Sequence, residues 1–185
     1  PNILWSLAAL GVTPDADWRA DLLWQCQRNL KDMDSRAVAS ALAALARMRV
    51  APPRAWLAAC CKRLVRSAEG TLREPGGAGG LSPRTFVSVL GSLSKLLARP
   101  SQRWLGKWCA AVQGSLPRFA PRDYGEALSA FGALAYLPNE EWLFDFYCAA
   151  RRALPGLSPD ALAGLAAGIA ARATSPRLRY VPPPE

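Results

Sequence analysis

The sequence predicts an all-α fold, an α-solenoid of antiparallel helix pairs with a ~38-residue repeat. Three observations predict it. Trp18, Trp56, Trp104 and Trp142 are separated by 38, 48 and 38 residues, and a proline stands four residues before each: Pro14, Pro52, Pro100 and Pro138. Leu4, Leu42, Leu90 and Leu128 hold one register in that frame, and Leu7, Leu45, Leu93 and Phe131 hold another. No segment alternates β-branched and polar residues over a strand's length, so no sheet is expected.

The elements follow in order within one array over 1–185. Residues 1–13 are a partial repeat, the second helix of a preceding unit. Full units span 14–51, 52–99, 100–137 and 138–181, and 182–185 reads as the start of another. The chain opens at Pro1 without an initiator Met and closes on Pro182-Pro183-Pro184-Glu185, as an excerpt would, so any targeting peptide is expected upstream. In each unit a first helix is expected to begin just after the proline, where a fixed φ suits the first turn. In 138–181 its apolar residues Trp142, Leu143, Phe146, Tyr147 and Ala150 fall on one stripe. Leu154-Pro155-Gly156 is its stop signal, and Leu116-Pro117 holds the same place one unit earlier. A second helix opens at Ser82-Pro83 or Ser158-Pro159, with serine as N-cap and proline at the first helical position. It continues through small residues and leucines, as in Val38–Met48 or Ala161–Ala171, which let a neighbouring helix approach closely. The ten extra residues between Trp56 and Trp104 are assigned to a Gly-rich loop, 74–80.

Composition narrows the function classes. Apolar residues are 51% of the chain, which suits a folded core. The longest nearly apolar run, Ala161–Ala171, is too short to span a bilayer, so no membrane partner is expected. The net charge of +9 is uneven: Arg47–Arg122 holds 14 Lys/Arg against 2 acids, and the remainder is mildly acidic. A basic middle suggests a surface for a polyanion, although a solubilising surface has the same composition. The five cysteines form no CxxC pair and there is no histidine, so no Cys/His zinc site or other metal site is expected. All five fall in expected helices, where free cysteines act as small apolar residues in a reducing compartment. Without histidine, a phosphate-cradling glycine motif or a nucleophile elbow, no enzyme, cofactor or small-molecule substrate is expected.

A 38-residue unit is too long for tetratricopeptide or ankyrin repeats, at about 34 and about 33 residues. The segments Pro52-Pro53-Arg54-Ala55-Trp56-Leu57, Pro138-Asn139-Glu140-Glu141-Trp142-Leu143 and Leu157-Ser158-Pro159-Asp160-Ala161-Leu162 resemble the octotricopeptide repeat. The chain departs from that pattern at Arg19, which follows Trp18 in place of Leu, at Phe119-Ala120-Pro121 in place of Leu-Ser-Pro, and in the Gly-rich loop. The resemblance implies a nuclear-encoded mitochondrial or chloroplast protein of green-algal type. It would act on organellar mRNA or rRNA in transcript stability, processing, splicing or translation, or beside ribosomal proteins as a component of an organellar ribosome.

The candidate RNA-binding residues come from aligning first helices on their tryptophans. Offsets of three, seven and ten share one helical face, expected to lie opposite the packed stripe. Gln25, Arg28, Arg63, Arg66, Lys107 and Arg152 fall on it, with Lys62 and Arg103 nearby. Helical repeats that read single-stranded RNA use two or three such side chains per unit. Each cation alone, like Arg47, Arg49, Lys95, Arg99 and Arg172 at the second-helix ends, has a simpler reading as a complement to a helix C-terminus. The repeating tryptophans are expected in the core, whereas Trp24, near the polar face, is the better stacking candidate. A protein-binding scaffold is the competing reading, since solenoids offer broad surfaces to either partner.

Overall fold

The computed structural model describes residues 2–12, 14–73 and 82–156, with Pro159, Leu162, Ala163, Ala166, Ala167 and Ala170. The expected loop 74–80, most of the helix at Ala161–Ala171 and the closing Pro182–Glu185 lie outside the described residues. Among those described there is no strand. The helices are α1 (Asn2–Leu10), α2 (Ala16–Arg28), α3 (Ser35–Arg47), α4 (Arg54–Arg73), α5 (Pro83–Lys95), α6 (Gln102–Val112), α7 (Pro121–Ala133) and α8 (Glu140–Ala153). Short 3-10 turns follow α2 at Leu30–Asp32, α6 at Gln113–Arg118 and α8 at Leu154–Gly156. Among the described residues no helix is long and apolar enough to cross a membrane.

Local chemistry fixes the helix starts. Asp15, Ser101 and Asn139 each accept the backbone N–H of the tryptophan three residues on, at 2.8, 3.2 and 3.2 Å. These are N-caps, each satisfying one of the donors a helix start leaves open. The recurring proline therefore lies one residue outside the cap, not in the first turn as expected. The cap position needs a side-chain oxygen on extended backbone, and proline offers none. The other expected start holds: Ser82 accepts the Thr85 N–H at 3.1 Å, with Pro83 at the first helical position. Ala120 cannot cap, and Asp123 instead reaches back to the Ala120 N–H at 3.0 Å.

The ends of α1, α3, α5 and α7 share one device. Gly11, Arg49, Leu97 and Ala135 have φ of 71°, 56°, 51° and 50°, the left-handed region. The next residue in each case donates its N–H to a carbonyl in the last turn: Val12 to Leu7, Val50 to Leu45, Ala98 to Leu93, Tyr136 to Phe131. This is the Schellman termination, filled by glycine only at the first site.

Two rows of helices result. α1, α3, α5 and α7 contact one another in succession, while α4 packs on α6, and α8 packs on the 3-10 turn that ends α6. The core between the rows holds Leu4, Leu42, Leu45, Leu90, Leu93, Leu128 and Phe131, all buried. Trp56, Trp104 and Trp142 are buried, as expected for a core position. The Trp104 indole N–H donates to Cys61 O at 2.7 Å and that of Trp142 to Cys109 O at 2.9 Å. Each acceptor lies five residues after the preceding tryptophan, so one bond joins consecutive helices in the same way twice. The same register would give Trp56 the carbonyl of Leu23, yet its indole N–H is buried without a partner. Correspondingly, α2 buries none of its residues, and Trp18 is 39% exposed, against the core expectation.

Candidate nucleic-acid interface

The packing of α4 against α6 leaves an open groove of about 1380 Å³ along their outer side. Its floor is apolar, built from Leu57, Val65, Leu93, Leu96 and the edge of Trp104. Its rim is cationic. Arg54, Lys62 and Arg66 come from α4, Arg103 and Lys107 from α6, and Arg99 from the link before α6. All six are exposed at the surface, and no acid lines the groove. Arg54, Lys62 and Arg66 fall on one face of α4 because spacings of eight and four residues return to the same side of a helix. The Trp104–Cys61 bond fixes the spacing of the two helices at the floor. The half-buried Cys61 thiol beside that floor is pushed up to about 11 by burial, so it stays neutral and adds no negative charge at pH 7.

Four of the sequence candidates thus meet in one place: Lys62, Arg66, Arg103 and Lys107. The other four do not. Arg63 turns towards the preceding link, where its Nε donates to Met33 O at 2.9 Å. Gln25 and Arg28 are exposed on α2, with the Arg28 guanidinium 4.7 Å from the centroid of the Trp24 ring. Arg152 is exposed at the end of α8. The expected face at offsets three, seven and ten is therefore not a continuous free surface. At offset seven Ala149 is buried and Ala111 half-buried, and at offset three Asp145 accepts from Gln113 Nε2 at 2.7 Å. The reason is that these helices are packed on two sides, against the neighbouring helix in their own row and against the other row. That leaves a narrower free strip than one apolar stripe implies. Sequence reasoning missed Arg54 as a site residue and read Arg99 only as a helix-end charge. The usable signal was the run of cations from the helix link into α6, Arg99, Arg103 and Lys107.

The charge reverses one helix further on. Glu141 and Asp145 hold on α8 the places that Arg103 and Lys107 hold on α6, each one before and three after its tryptophan. The basic tract is thus confined to a single helix–helix step.

An all-helical protein with a cation-rimmed groove on an apolar floor is built to bind an extended polyanion, and the comparisons with known proteins give that class a family. The chain matches the family described as the Tbc2 translation factor, C-terminal domain, over residues 1–76 and again over 77–180, and it belongs to that family. It is 31% identical over 121 residues to the chloroplastic Tbc2 translation factor of Chlamydomonas reinhardtii. The aligned part is 64% of this chain and 10% of that relative's length.

Proposed function

We propose that this chain binds single-stranded RNA in the groove between α4 and α6, as part of an organellar protein that acts in translation. The observation that carries the reading is the groove's rim of six cations with no acid among them. A phosphodiester backbone releases counterions on such a rim, and exposed bases find apolar surface on the floor. The relative's name, a chloroplastic translation factor, supports the setting in a chloroplast and a role in translation. The groove acts by binding, without a catalytic step of its own. In this reading the two rows of helices are a solenoid of ~38-residue units of octotricopeptide type. Its support is the recurrence of the tryptophan bond, the N-caps and the left-handed terminations in one frame.

Salt dependence tests it. If about five phosphates are neutralised on a single strand, log affinity falls with log salt at a slope near −3.5. Removing Lys62, Arg66 or Arg103 should each lower that slope by about 0.7. An affinity indifferent to salt, or to these three substitutions, would overturn the reading and favour a protein partner. Sedimentation of the native protein with or without ribosomal subunits separates a free factor from a ribosomal component.

A further inference from the structure

The step between α2 and α4 differs in kind from the step between α4 and α6. Trp24 and Arg28 stand six and ten residues after Trp18, as Lys62 and Arg66 stand after Trp56. They therefore occupy on α2 the register of two groove-lining cations. Where α6 offers Arg103 and Lys107 to the α4–α6 groove, α4 offers Ala55 and Ala59 at the same register. The strip that continues the groove is thus small-residued and carries one large aromatic group. Trp24 is 55% exposed, unlike the buried Trp56, Trp104, Trp108 and Trp142. The Arg28 guanidinium lies over its ring at 4.7 Å, which restricts the indole and brings a positive charge beside it.

We propose that Trp24 is a nucleobase-stacking platform, with Arg28 as its phosphate partner, adjoining the cationic tract between α4 and α6. The proposal rests on the strand-binding reading above. The occupant is a base of a single-stranded RNA because the neighbouring rim selects a polyanion and the free ring area matches a planar ring. An indole stacks any base and adds affinity without a fixed sequence requirement. Arg28 has a double role: on the ring in the free protein and towards the adjoining phosphate once a base covers the indole.

The experiment uses the full chain and two probes, a labelled oligoadenylate and a ribose-phosphate oligomer of equal length lacking bases. Trp24→Ala should weaken oligoadenylate binding by roughly 5- to 100-fold, the range measured for loss of one base–aromatic stack. It should leave the abasic probe and the salt slope unchanged. Trp24→Phe should retain most of the affinity, and because the ring is largely exposed, both variants should keep the parent's circular dichroism. The paired change Lys62→Ala/Arg66→Ala should weaken both probes alike. If Trp24→Ala binds oligoadenylate as the parent does while Lys62→Ala/Arg66→Ala weakens it, the platform is refuted and strand binding stands. If the parent binds neither probe, strand binding fails and the platform with it.

Discussion

Three tryptophans at equivalent positions have different hydrogen-bond fates, and their substitutions should separate accordingly. Trp142 is 1% exposed, stacked on Phe146 at 5.2 Å and bonded to Cys109 O. Trp142→Ala should cost about 3–5 kcal/mol by urea denaturation, the sum of lost burial and a residual cavity. Trp104→Phe and Trp142→Phe each delete a buried indole–carbonyl bond, with a net worth of about 1 kcal/mol. Trp56→Phe deletes no bond, since its N–H has no partner, and it removes a donor that was desolvated without return. It should be milder than the other two by about 1 kcal/mol or more, measured in the same denaturation series. Asp123 carries a related asymmetry. It is buried, takes the Ala120 N–H and meets Arg84 at 3.1 Å, whereas Glu126 meets Arg84 at 2.6 Å in the open. Asp123→Ala should cost about 1–3 kcal/mol, by leaving a helix start and a guanidinium unanswered. Glu126→Ala should cost less than about 1 kcal/mol, as for exposed ion pairs.

Helix termini carry the next prediction. Leu97 holds φ 51° with its side chain 87% exposed, so it takes on left-handed strain without packing in return. Leu97→Gly should raise stability by about 0.5–1 kcal/mol, because relief of that strain outweighs the freedom glycine adds to the unfolded chain. This is also where the sequence was hardest to read. The all-α class, the Ser82-Pro83 start and the turn at Leu154–Gly156 were legible, since caps and stops are written in residue types. The left-handed ends at Arg49, Leu97 and Ala135 were not, because none is a glycine. There the Schellman bonds and the packing of Val50, Ala98 and Tyr136 impose the conformation. The same limit applies to the groove. Lys62, Arg66, Arg103 and Lys107 could be picked from charge and register, but Arg54 joins them only through the packing of α4 on α6. Arg63 looked like another free cation, and a backbone carbonyl on a distant turn claims it.

At the scale of the whole molecule, burial raises the proton affinity of several weak acids together. It pushes up the thiols of Cys26, Cys60, Cys61 and Cys109 and the phenols of Tyr124 and Tyr136. Their raised folded-state values contribute stability that is fully present below the ordinary thiol range and is lost as pH climbs through the raised values. The unfolded chain then releases protons that the folded chain still holds. The melting temperature should therefore hold near neutral pH and fall steadily between about pH 9 and about pH 11, by scanning calorimetry under reducing conditions. The sign reversal at α8 has its own consequence. A negatively charged filament lying along the rim from α4 meets repulsion at Glu141 and Asp145 immediately beyond α6, so it must lift off the protein there. Its contact length is then set by where carboxylates begin, not by how many helices remain.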